Sequence, residues 1–209
     1  LVVRVTAEFG KTAAARIRSG QSSHMLVGGA FATEHPDMIL GYELGGYLHR
    51  GPHASVWNRA AAAGGGVVSG SGAAFLVLES REHATGRGAR IYAELASVVS
   101  GRARRGGDDL ESALAGMIEA AGAGDGELLV ISGASGAHRA TAGERAAFAS
   151  RGNVAMRALS TLTGHLREAQ FFFAVALAAL AVARKAAYLP FDPAAEAPFG
   201  AVPERALAT

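Results

Sequence analysis

Three features of the 209-residue chain predict an α/β fold. Apolar stretches of strand length alternate with Ala- and Leu-rich stretches of helix length, glycine clusters mark the joins, and half of the residues are hydrophobic. With 18% charged residues, this composition supplies a sizeable core. The 28 glycines lie beside apolar runs, which suits tight turns and close backbone packing better than disorder.

Thr6–Ser19 is Ala-rich, carries Arg16 and Arg18 near its end and meets Gly20, so a helix with a glycine stop is expected. "SHMLVGGA" reads as a short buried strand ending on two glycines. Phe31–Ala63 holds Pro36, Pro52 and several glycines, and predicts a long loop with short helical pieces. In "GGGVVSGSGAAFLVLES", Val67–Val68 and Phe75–Leu78 read as two buried strands joined at a tight glycine turn. A short helix over "REHATG", a break at Gly86 and Gly88 and a strand over Ile91–Val99 follow. Leu110–Ala121 is patterned as an amphipathic helix, "ELLVISGAS" as a strand entering a small-residue turn, and Glu144–Ala149 as the start of another helix. Gly164–Ala183 is a loop entering a helix apolar all round, which must be surrounded by protein. Its thirteen-residue run Phe171–Ala183 is too short to span a bilayer, which takes roughly 20 residues.

Charge and composition narrow the chemistry. The formal net charge is +2, and the basic run "GRARRGG" at Gly101–Gly107 has no interleaved aromatics, so it reads as a solvated loop and nucleic acid is not an expected partner. Cysteine is absent, which excludes disulfides, Cys-ligated zinc and a cysteine nucleophile within these residues. Neither "GGGVVSGSG" nor "SGASGAHRAT" matches a phosphate-binding or dinucleotide fingerprint, and no cofactor or metal is expected. The chain opens "LVVRVTAEFG" without an initiator Met or secretion signal, so it is expected to start inside a longer, cytoplasmic protein.

Four stretches resemble the β-ketoacyl-(acyl carrier protein) synthase family in order and spacing. They are "AAARIRSGQSSHMLVGGAF", "GGGVVSGSGAAFLVLESREHATGRGARIYAEL", "STLTGHLREAQ" with its following apolar helix, and "LPFDP". The resemblance implies a thiolase-like five-layered α/β/α/β/α fold. Residues 1–100 would hold the end of its first half and an interface loop, and residues 101–209 most of its second half without the closing strand. It implies a role in fatty acid or polyketide biosynthesis, an acyl carrier protein as partner, and a homodimer or a heterodimer with an active ketosynthase. "GGAFATEHPDMILGYELGGYLHRGP" also looks like divergent synthases of very-long-chain acyl groups in bacterial lipid A clusters.

Family members use a Cys at a helix N-terminus, two His and a Lys. By resemblance the nucleophile position falls near Val3, the first His at Gly133, the Lys at Ser160 and the second His at His165, with Glu144 matching a supporting acid. Gly133 and Ser160 are therefore degenerate positions, since Gly has no side-chain donor and Ser no positive charge. His138, five residues past Gly133, could compensate by a loop shift. His165 is either catalytic or a hydrogen-bonded structural residue in a buried polar network, and Glu144 either a supporting acid or a cap or ion-pair member. His24, His35, His49, His53 and His83 are assigned to surface or loop positions. Tyr42, Tyr47 and Trp57 could line an acyl channel, with core packing as the equal alternative. The implied function is a catalytically degenerate partner subunit, akin to a chain-length factor, that shapes acyl-chain length. The alternatives are an active decarboxylative condensing enzyme whose Cys lies upstream, and a scavenging binder of acyl carrier protein.

Overall fold

A computed structural model describes residues 2–5, 8–62, 64–101, 110–124, 126–149 and 151–209. In chain order its elements are β1 (Val2–Val5), α1 (Glu8–Arg18), β2 (His24–Phe31), α2 (Pro36–Leu44), α3 (Val56–Arg59), β3 (Gly72–Glu79), α4 (Arg81–Gly86) and β4 (Glu94–Val98). Then come α5 (Leu110–Ala120), β5 (Leu128–Ser132), α6 (His138–Ala149), β6 (Val154–Ala158), α7 (Ser160–Thr163), a 3₁₀ turn (Arg167–Ala169), α8 (Gln170–Arg184) and β7 (Arg205–Ala208).

Five strands form an all-parallel sheet in the order β4-β1-β7-β5-β6, and β2 pairs antiparallel with β3 in a separate ladder. The sequence "LLVIS" explains the centre of the larger sheet. A strand buried on both faces needs apolar residues at every position, and all five residues of β5 are buried. Leu129 and Ile131 join Ala206 and Ala208 in a cluster with α8, whereas Leu128 and Val130 join Leu207, Ile118 and Phe148 against α5 and α6. Alternate side chains thus seed two cores on opposite faces. The all-apolar character of α8 has the same cause, because it packs on β7, β1 and β5 on one side and on β3 and β2 on the other. It ends at Lys185 in the left-handed region, whose N–H bonds the Val182 carbonyl.

The structure departs from the sequence reading in several places. The β2–β3 ladder is half open: α8 and the 3₁₀ turn cover one face, and Leu26, Phe75 and Val77 on the other are 68%, 60% and 59% exposed. Val67–Val68 is not a strand. Its neighbourhood makes only single bridges, Leu48 to Val67 and Ser69 to His165, because the chain is threaded between other loops. A Cβ on Gly66 would meet the Gly136 carbonyl oxygen at 2.1 Å, and one on Gly70 the Thr163 carbonyl oxygen at 1.9 Å. The strand expected over Ile91–Val99 shortens to β4, and α6 begins six residues before Glu144, at His138. The short strands β6 and β7 were not foreseen. β6 carries Arg157 in its interior, fully buried, with Nε donating to the Tyr188 carbonyl and Nη1 to those of Met156 and Ala197, while Nη2 has no partner among the described residues. The Arg102–Gly107 part of the basic run lies outside the described residues. No helix among the described residues is long and apolar enough to cross a membrane.

Candidate functional site

β5 and β6 run parallel and end in register, Ser132 opposite Ala158. The turns they feed, residues 133–137 and 159–165, therefore lie side by side at the carboxyl ends of neighbouring strands. That is where open α/β sheets commonly hold ligands. Gly133 and Glu144 belong to the first turn and its helix, Ser160 and His165 to the second.

The first turn is closed by the protein's own groups. Ser132 Oγ donates to Glu144 Oε1 at 2.8 Å and accepts from the Ala134 N–H at 3.1 Å. Thr209 Oγ1 also donates to Glu144 Oε1 and accepts from the Gly133 N–H at 3.0 Å. Thr209 is held there because its own N–H continues the β7–β5 ladder onto the Ile131 carbonyl. Burial pushes the Glu144 carboxyl upward, and the two hydroxyl donors only partly oppose it. A Cβ on Gly133 would lie 2.4 Å from the Thr209 carbonyl oxygen, so no side chain fits without moving the end of β7. His138 opens α6 with a buried Nε2 that has no partner among the described residues.

The second turn is built around a buried cation. Arg59, 1% exposed, donates from Nε to the Gly66 carbonyl, from Nη1 to Ala54 and from Nη2 to Ser160, at 3.2, 3.0 and 3.0 Å. Burial lowers its pKa. Ser160 is fully buried, and its Oγ accepts from Gln170 Nε2 at 3.1 Å, while Gln170 Oε1 accepts from the Leu166 N–H at 3.0 Å. One amide thus ties the start of α8 to the turn. Gly164, at φ 69°, takes the left-handed conformation that sets up His165. The His165 backbone bonds the Val68 carbonyl at 2.7 Å and the Gly70 N–H at 3.1 Å, yet its Nδ1 is buried without a partner among the described residues. The expected polar network around this ring is thus absent at Nδ1. Burial, aided by the Arg167 charge and opposed by Glu168, lowers the His165 pKa. The shift favours the neutral imidazole, in which one ring nitrogen donates and the other accepts.

The aromatic candidates are not brought together. Trp57 is 6% exposed, donates Nε1–H to Glu196 Oε1 at 3.0 Å and packs with Val56, Ala134 and Ala158 beneath both turns. Tyr42 is half-buried, its ring 5.9 Å from the Arg167 guanidinium, and burial raises its pKa. Tyr47 is 53% exposed. Of the remaining histidines, His24 stacks on His83, which meets Glu79 at 2.8 Å, and His49 Nε2 bonds the Pro52 carbonyl oxygen at 2.9 Å. Among the described residues no group of three or more His, Asp or Glu is placed to hold a metal. Sequence reasoning missed Arg59, Gln170 and Glu196. The available signal was a lone polar residue against apolar or Ala-rich sequence, as at Gln170 before "FFFAVALAAL" and Arg59 before "AAAA".

Comparison with known proteins agrees with this architecture. Residues 7–84 match the β-ketoacyl synthase N-terminal domain. The fold is similar to that of a type II PKS acyl-carrier protein's ketosynthase, solved in complex and bound to the hexaketide, with TM-score 0.65 and 25% identity over 93% of this chain and 52% of that one. The ishigamide ketosynthase/chain length factor gives TM-score 0.64 and 24% identity over 82% and 44%. A β-ketoacyl synthase from Burkholderia phymatum gives TM-score 0.58 and 22% identity over 92% and 50%. The chain thus spans about half the length of these structures and has their thiolase-like fold. No curated protein matches it in sequence.

Proposed function

Starting from a divergent member of the β-ketoacyl synthase family, we propose that this chain is a non-condensing, ketosynthase-like subunit. It pairs with a condensing partner and shapes the acyl chain that the partner builds, in fatty acid or polyketide biosynthesis. The observation that carries this reading is the closure of both degenerate positions. Gly133 lies against the Thr209 carbonyl oxygen, and Ser160 is buried with its Oγ bonded by Gln170 and its carbonyl by Arg59. Groups that act as a unit in catalysis lose nearly everything when several are missing. An acyl carrier protein is the proposed source of the chain, and Tyr42 and Tyr47 the proposed contacts to it or to the partner's pocket.

One observation favours a second reading. His165 Nδ1 has no hydrogen-bond partner among the described residues, so the ring is not committed to a structural network, as a condensing enzyme with its nucleophile elsewhere in a longer chain would require. Carbon dioxide release from malonyl-carrier protein separates the two. None above background is expected, and Tyr47→Ala is expected to change product length from a co-purified ketosynthase. Decarboxylation that is lost in His165→Ala would establish the second reading.

A further inference from the structure

A cleft of ≈ 770 Å³ lies between α1, β3, α4, the segment before β4, and α8, and shares no residue with the two turns. Its size falls within the roughly 300–1,000 Å³ of small-molecule sites. The floor is apolar, with Leu76, Leu95, Val175, Ala179 and Leu180. The rim carries four arginines, Arg18, Arg81, Arg87 and Arg90, against two acids, Glu79 and Glu94. Both acids are already engaged. Arg87 clasps Glu79 through Nε at 2.7 Å and Nη2 at 2.6 Å, holding that carboxyl at about 2, and Arg81 pairs with Glu94.

Arg18 and Arg90 have no carboxylate partner among the described residues. Arg18 donates to the Ala96 carbonyl at 3.2 Å, and Arg90 lies 4.9 Å from the centre of the Tyr92 ring. The wall thus presents apolar side chains below and uncompensated guanidinium groups at the mouth. Such a site complements a molecule with an aliphatic body and one anionic end, because guanidinium forks match carboxylate and phosphate oxygens.

We propose that this cleft binds a single-chain amphiphile with an anionic head, the tail lying along α8 and the head between Arg18 and Arg90. This does not rest on the function proposed above. Titration calorimetry of the protein with dodecanoate and with dodecyl phosphate, each below its micelle concentration, tests it. Saturable binding of either anion supports the site, and the tighter of the two names the head group. Arg90→Gln and Arg18→Gln are each expected to weaken binding about tenfold. Ala179→Trp, which fills the floor, is expected to abolish it. The two arginine variants are surface changes and leave the fold intact, so they decide the matter even if Ala179→Trp does not fold. Absence of saturable binding, equal binding of dodecanol, or anion binding unchanged in both arginine variants would overturn the proposal.

Discussion

The turns after β5 and β6 occupy equivalent places at the ends of adjacent parallel strands, yet they are finished differently. The first is sealed from outside its own segment. Thr209, 76 residues from Gly133, supplies both the hydroxyl that meets Glu144 and the carbonyl that excludes a side chain at Gly133. The second is braced by a buried cation, Arg59, and by the nearby amide of Gln170, and its His165 Nδ1 is enclosed without a partner among the described residues. The ionisable groups of the two turns are pushed in opposite senses that favour the same outcome. Burial raises Glu144 and lowers His165, so in each case the neutral form is favoured. Low local polarity therefore governs both turns, and each leaves one enclosed imidazole nitrogen, His138 Nε2 and His165 Nδ1, without a hydrogen-bond partner among the described residues.

The largest effect is expected at Arg59. Arg59→Ala leaves the carbonyls of Gly66, Ala54 and Ser160 without their donor, at a cost of about 3–5 kcal/mol measured by urea unfolding. Arg59→Lys should recover only part of this, because an ammonium cannot present the guanidinium fork. A loss below 1 kcal/mol would mean that the second turn stands without its brace.

Next comes Gly133→Ala, expected to cost about 3 kcal/mol through overpacking against Thr209. An unchanged melting curve would show that the first turn yields more easily than its contacts imply. Gln170→Ala should cost about 1–2 kcal/mol, since the Leu166 N–H loses its acceptor and Ser160 Oγ its donor. Combined with Ser160→Ala, the two losses should fall short of additivity, as measured in a double-mutant cycle.

The smallest effects are in pH dependence, where the turns should differ in sign. The raised Glu144 pKa means that the native state holds a proton which the unfolded chain releases. Stability is fully present below the ordinary value of 4.5 and declines as pH rises towards the folded value. Glu144→Gln should therefore flatten the alkaline side of the stability profile. For His165 the unfolded chain binds the extra proton, so stability is lost as pH falls below 6.5 towards the lowered folded value. His165→Leu should flatten the acid side and change stability at pH 7 by about 1 kcal/mol or less, because no Nδ1 hydrogen bond is broken. A larger loss at pH 7 would point to a polar partner for the ring.

Much of the frame was legible in the sequence. The buried strand "LLVIS" and the apolar helix at Phe171–Ala183 are legible because an element buried all round has no polar face, and the helix around Leu110–Ala121 because its apolar residues recur on one side. The positions of Gly133, Ser160 and His165 were legible only through resemblance. β6 and β7 were not legible: each is only four or five residues long, and the arginines within them mask a strand pattern. The half-open face of β2 and β3 was not legible either, since an apolar strand reads alike whether one face or both are covered.

The sequence alone determined the alternation of strand and helix, the missing cysteine, and which residue types stand at each turn. Whether those residues form a site was settled by contacts distant along the chain. Thr209 closes the first turn, and Arg59, 101 residues from Ser160, braces the second. Periodicity encodes which side of a segment is buried. It carries no information about which remote carbonyl or hydroxyl will meet a given side chain, because that depends on how the strands stack in space.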